Sequence, residues 1–294
     1  MSSEAERESA AGRSFMQQSE QAWHDVLYAS HQGRDLVVPQ AIRERYLSAS
    51  GNPRFQLEHL FTLMGDLKGR RVLVVGCGDD STTVLLALKG ADVWAFDLSE
   101  EAVRLQRSMA EANGVAGRVH LLVCAAEEFP FAAHSFDLIV GVAILHHIPD
   151  HLAALPPRLA RALAPGGLAL FVEPVVLSRT LGRVLAWLPG HQDISPGERQ
   201  LIQADLDHFS TVFRVSLHGY CLLARGDRFV LNGPLETAAR WRRLLVHAFH
   251  WVDHVVLQLP MFRSLAGVVV LELSPRASPA PRAVGPEPAT VFTM

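Results

Sequence analysis

The chain has 294 residues, 49% of them hydrophobic, with 27 basic and 30 acidic side chains and a formal charge of −3. That content is enough for one sizeable α/β domain with insertions. The even charge balance, with no run of Lys or Arg, argues against an electrostatic nucleic-acid surface.

In chain order, residues 1–14 are polar, carry both signs of charge and lack the apolar core of a secretory leader, so a disordered start is expected. Residues 15–65 have helical periodicity, with Phe15, Trp23, Val26, Leu27 and Tyr28 as apolar points. Arg70 to Val75 reads as a buried strand entering Gly76-Cys77-Gly78, and Ser81 to Leu88 as a helix stopped by Gly90. Asp92 to Phe96 is the next strand, ending at Asp97; Ser99 then caps a helix with Glu100 and Glu101 in its first turn. Val119 to Val123 and Phe136 to Val140 are further strands. A helix from His151 to Leu163 leads to the Pro165-Gly166-Gly167 turn and the strand Leu168 to Val172. This close alternation of apolar strands and helices predicts a parallel sheet covered on both faces.

Beyond Pro174 the rhythm fails. Residues 175–210 read as helical and loop-rich, Val212 to Leu223 as a long strand, Leu235 to Leu259 as a long helix and Val268 to Leu273 as a last strand. Residues 275–294, with five prolines, predict a disordered tail. The apolar stretch Leu244 to Leu259 is broken by His247, His250, Asp253 and His254, which argues against a membrane span. The Arg240, Arg242 and Arg243 cluster could meet anionic lipid, but burial of the helix against the domain is the more economical expectation. Cys77, Cys124 and Cys221 give neither a disulfide framework nor a CxxC pattern, in keeping with a cytoplasmic protein.

A glycine turn between a buried strand and a helix lets a ligand approach the backbone and meet the helix dipole, and Gly76 and Gly78 stand there. Asp97 follows Gly78 by 19 residues at the end of the second strand, where a carboxylate can accept from both hydroxyls of a ribose. By itself this pair suits nicotinamide, flavin or adenosylmethionine cofactors equally.

Five stretches in order narrow the choice: Arg71 to Gly78 (RVLVVGCG), Ala95 to Ser99 (AFDLS), Ala126 to Phe131 (AEEFPF), Ser135 to Ile148 (SFDLIVGVAILHHI) and Leu159 to Phe171 (LARALAPGGLALF). Together they resemble the small-molecule branch of class I S-adenosylmethionine-dependent methyltransferases, the type-11 family. The resemblance is close over residues 70–173 and looser over the N-terminal helices, where Glu20 to Asp25 (EQAWHD) looks like the lead-in of some bacterial members. It implies a Rossmann-like, mostly parallel sheet of seven strands with helices on both faces and an antiparallel last strand. The methyltransferase domain would span 15–274, with a helical lid at 15–65, a cofactor-binding core at 70–173 and substrate-side insertions at 175–264.

The implied cofactor is S-adenosyl-L-methionine, the implied partner a small-molecule acceptor of methyl at oxygen, nitrogen or carbon; a homodimer stays open. Gly76, Cys77 and Gly78 would lie under the methionine part, Asp97 would hold the ribose and Leu98 would pack on adenine. Ala126 and Glu127 would edge the adenine, Gly141 and Val142 would line the methionine end, and His146 and His147 would stand near the methyl group, either of them a candidate base. Both also have an ordinary reading, as packing and backbone hydrogen bonding. Trp23, His24 and Tyr28 read either as a lid over the cofactor or as core.

Three positions depart from the family pattern. Val74 stands where an acid commonly supports the cofactor ammonium, Asp80 replaces the third glycine, and Ala125 replaces an aspartate that accepts from the adenine amine. Asp79 or Asp80 either compensates at the ammonium end or caps the following helix. His247, His250 and His254 share a helical face, but an amphipathic edge explains them without a metal. Two alternatives remain: a protein that binds the cofactor without transferring methyl, and a non-catalytic partner subunit.

Overall fold

The computed structural model describes residues 18–28, 35–48, 51–126, 128, 130–178, 180, 198–231, 233 and 235–276. The expectations for the two chain ends, for Glu127 and for half of 175–210 fall outside these residues.

Apolar runs of five or six residues form strands whose two faces are both covered. β1 (Arg71–Val75) has Val72, Leu73, Val74 and Val75 all buried. β2 (Asp92–Asp97) and β4 (Phe136–Val142) flank it in parallel, Val75 lying level with Phe96 and with Gly141. With β3 (Val119–Val123), β5 (Leu163–Pro174), β6 (Phe213–Tyr220) and β7 (Val268–Pro275) the order is β3-β2-β1-β4-β5-β7-β6. β7 pairs antiparallel with both of its neighbours. Successive side chains alternate between two cores: Leu73, Ile139 and Phe171 face one, Val74, Val140 and Leu170 the other.

The helices are α1 (18–28), α2 (Gln40–Leu47), α3 (Gln56–Leu63), α4 (Thr82–Leu88), α5 (Glu100–Ala112), α6 (Leu155–Ala162), α7 (Gln203–Phe209), the single turn α8 (Asp227–Val230) and α9 (Arg240–Val256). Ser99 caps α5 by accepting from Ala102 N at 3.2 Å. The Asp25 carboxylate accepts from the Ser99 hydroxyl and, at 3.4 Å, from Glu101 N, which ties α1 to the start of α5.

Several boundaries differ from the sequence reading. α6 begins at Leu155 because Pro156 and Pro157 are tolerated only in a first turn; a start at His151 would put them in the helix interior. β5 takes in the Pro165-Gly166-Gly167 turn, with a shift of register between the Phe136–Leu163 and Leu138–Leu168 pairs. β6 stops at Tyr220, since Cys221 has φ +60°. α9 is shorter than the predicted helix, a separate 3-10 turn at Leu235–Thr237 preceding it. Its burial is confined to Val246, His250 and Asp253, so the expected packing against the domain covers one face only.

Candidate functional site

Because β1 pairs with β2 on one side and β4 on the other, the connections leaving β1 and β4 run to opposite faces and open a crevice at the carboxyl ends of the strands. A cavity of about 360 Å³ lies there, with His24 and Tyr28 of α1 in its wall. Trp23 packs edge-on against His24 at 4.9 Å.

The floor is the glycine turn. Gly76 has φ +68° and Gly78 φ +46°, a region that favours glycine. A Cβ on Gly76 would come within 2.6 Å of Ile144 Cδ1, so this glycine makes room for a side chain from the β4 turn. Gln106 of α5 holds the turn: its Nε2 donates toward Cys77 O, Gly78 O and Asp80 O at 3.0, 3.1 and 2.8 Å. Sequence reading missed Gln106; an amide in register with buried Val103 and Ala110 of α5 was the available signal.

Asp97 braces the turn from β2. Its Oδ2 accepts from Gly78 N and its Oδ1 from Ser99 N, both at 2.9 Å. Burial pushes this carboxyl up from its usual range, and the Ser99 and Gly78 amides pull it back. The residue is part of the cavity wall. Leu98, Ala125, Ala126 and Val142 also line the cavity. Gly141 stands behind the wall, where a Cβ would lie 2.5 Å from Phe171 Cδ1.

The two adjacent histidines part company. His146 is buried and outside the wall, its Nδ1 2.9 Å from Glu173 Oε2. His147 lines the cavity, its ring centroid 5.1 Å from that of His24. Burial, then His146 and His24, push the His147 imidazole down to about 3, so it is neutral at physiological pH. His24 Nε2 in turn lies 3.5 Å from Glu20 Oε2. Ala143, between β4 and these histidines, is held at φ +54° with its N donating to Val172 O at 2.8 Å.

Of the departures from the family pattern, Val74 belongs to the sheet core and Asp80, in the cavity wall, accepts from Thr82 N at 2.6 Å at the start of α4. Asp137 accepts from Arg71 N at 2.8 Å and ties β4 to β1. His250 spends both ring nitrogens on Arg54 O and Asp227 Oδ2, at 3.1 and 2.8 Å. Donor sets compact enough for a metal are instead Glu20–His24–His147 and His146–His147–Glu198, each with its atoms within 4.8 Å of one another.

Among the described residues the wall carries five carboxylates (Glu20, Asp79, Asp80, Asp97 and Asp150) and no lysine or arginine. Such a lining attracts a cation and repels a polyphosphate. It therefore fits a sulfonium bearing an ammonium group better than a dinucleotide with its pyrophosphate.

Sheet order, reversed β7 and crevice define a class: a Rossmann-like α/β fold of the kind found in class I S-adenosylmethionine-dependent methyltransferases. Residues 72–167, from β1 into β5, match the family described as methyltransferase domain. The chain is similar to a ubiquinone biosynthesis O-methyltransferase of Bordetella avium, 35% identical over 125 residues, covering 41% of this chain and 48% of the relative. A ribosomal RNA small subunit methyltransferase C of Chromohalobacter salexigens is 33% identical over 172 residues, covering 52% and 50%. The chain thus spans about half the length of these curated relatives. Among solved structures, the PH0226 protein of Pyrococcus horikoshii superposes with a TM-score of 0.50 at 15% identity, covering 75% of this chain and 88% of that one, a likeness of fold.

Proposed function

We propose that the protein transfers the methyl group of S-adenosylmethionine to an oxygen of a small organic acceptor in the cytoplasm. The observation that carries this reading is the half-buried Asp97 carboxylate clamped to the Gly78 amide at the β1 crevice. The acid-lined wall supports it, and so does the O-methyltransferase relative named above. Asp97 would hold the ribose; Leu98 and Ala126 would edge the adenine. Gly76, Cys77, Gly78 and Val142 would bed the methionine part, with Gly141 behind them leaving space for Phe171.

The cofactor, when bound, supplies a methyl group already activated on sulfur, so the chain's share is alignment and the handling of one proton. His147, neutral and in the wall, donates its ring N–H to the acceptor oxygen and orients it, which leaves the hydroxyl proton directed at His24. His24 takes the proton, and the adjacent Glu20 balances the imidazolium formed. His146 serves as a support for His147 and has no contact with the reacting atoms.

Calorimetric titration with S-adenosylmethionine and S-adenosylhomocysteine tests the cofactor site: micromolar binding of both is expected. Transfer of labelled methyl from the cofactor to a panel of phenols and other small hydroxyl compounds, with ribosomal RNA in parallel, tests the acceptor. Absence of cofactor binding at millimolar ligand overturns the site, and labelling of RNA alone overturns the acceptor class.

A further inference from the structure

Segment 221–265 differs from the rest of the chain in charge. It holds six arginines (Arg225, Arg228, Arg240, Arg242, Arg243, Arg263) and three acids (Asp227, Glu236, Asp253). Its formal charge of +3 leaves −6 on the remainder of a chain whose total is −3. All three acids are engaged within the protein. Asp227 meets His250 Nε2 at 2.8 Å and Glu236 accepts from Arg45 at 2.7 Å. Asp253 accepts from the amides of Leu222, Leu223 and Ala224 at 2.9, 2.8 and 3.0 Å. Arg225 turns inward to Cys221 O at 2.8 Å, and Arg228, Arg240, Arg243 and Arg263 are exposed without carboxylates of the segment to match.

The apolar side chains of α9 lie on the unexpected side. Val246, His250 and Asp253 face the protein. At 100° per residue, Trp241, Leu244, Trp251 and Val255 gather on the opposite face, and all four are exposed, Trp241 at 61% and Trp251 at 54%. Flanking turns add Phe229 at 78% and Met261 at 76%. The guanidinium of Arg242 lies 5.2 Å from the Trp241 ring and that of Arg228 4.7 Å from the Phe229 ring, so cations sit at the level of the exposed aromatics.

We propose that α9 and its flanking turns are a docking surface for an anionic lipid bilayer. Outward tryptophans and leucines enter the boundary between headgroups and acyl chains, while the arginines meet lipid phosphates. No described helix is long and apolar enough to cross a membrane, so the helix lies in the interface. A second copy of the chain is a poorer occupant: a twofold contact would set this basic face against itself, with no outward acid in the segment to pair with it.

The test uses the full chain and phosphatidylcholine vesicles with and without phosphatidylglycerol, read by co-sedimentation at low and high salt. Partitioning is expected to rise about tenfold with phosphatidylglycerol and to fall as salt is added. The Trp241→Glu/Trp251→Glu variant should lose binding to both vesicles while keeping the wild-type thermal midpoint. Arg240→Glu/Arg243→Glu should lose only the preference for the anionic lipid. Equal failure to bind either vesicle overturns the proposal. So does a wild-type dimer in sedimentation equilibrium that Trp251→Glu dissociates, which would make the face a homodimer interface.

Discussion

Glu173 Oε2 and His146 Nδ1 lie 2.9 Å apart at the end of β5, and the carboxylate is fully buried. Its Oε1 accepts from Ile144 N and Leu145 N, each at 2.9 Å. One buried charge therefore fixes both the turn after β4 and the imidazole that follows it, and His147 reaches the cavity on the far side of that turn. Glu173→Gln replaces an acceptor by an NH2 group facing donors, and should lower stability by about 3 kcal/mol. Urea denaturation measures this; an unchanged midpoint would show that the amides find other partners.

Asp97 braces the glycine turn and is proposed to hold the ribose, and two variants test the pair of roles. Asp97→Asn keeps one oxygen to accept from a backbone amide but loses the charge, whereas Asp97→Ala abandons both Gly78 N and Ser99 N. Cofactor affinity should fall at least tenfold in both; the alanine variant, which strands both amides, loses about 1.5–3 kcal/mol of stability, and the asparagine variant, whose NH2 faces one of them, loses less. Wild-type affinity for S-adenosylhomocysteine in Asp97→Asn would remove Asp97 from the cofactor site.

The parts legible in the sequence are those set by local chemistry. Val119–Val123 emerged with its predicted ends, and the Gly76–Gly78 turn and the Ser99 cap are where pattern placed them. The functions of Gly76 and Gly141 were hidden because they depend on Ile144 and Phe171, which only the folded sheet brings close. Gln106 was hidden for the same reason: its partners are backbone carbonyls 26 to 29 residues away. The pairing of Glu20 and His24 is local, but its place beside His147 depends on α1 docking through Asp25. The outward apolar face of α9 could not be read either, since a helical period says that a stripe exists and leaves open which stripe is buried.

Methyl transfer as proposed needs no metal, although Glu20, His24 and His147 are close enough to hold one. Dialysis against EDTA is expected to leave transfer within about twofold of the untreated rate, because a sulfonium methyl needs no Lewis acid. A drop beyond tenfold that Mn²⁺ or Zn²⁺ restores would reassign the trio as a metal site and remove His24 as proton acceptor.

His59 of α3 gives the fold a pH dependence of its own. It sits beside the Tyr220 hydroxyl and is faced by His218 of β6, Glu272 of β7 and His254 of α9; burial first, then His218, push it from 6.5 down to about 4. Below its ordinary value the unfolded chain takes up a proton that the folded chain refuses until much lower pH. The contribution is therefore intact above about 6.5 and is lost as pH falls toward about 4. His218, paired with Glu272 at 3.1 Å, remains in every variant and serves as an internal reference. The thermal midpoint of the wild type should drop between neutral pH and about pH 5, and His59→Gln should drop by less over the same interval. An equal or steeper drop in His59→Gln would mean that other groups carry the acid sensitivity and that this imidazole is solvated in the folded protein.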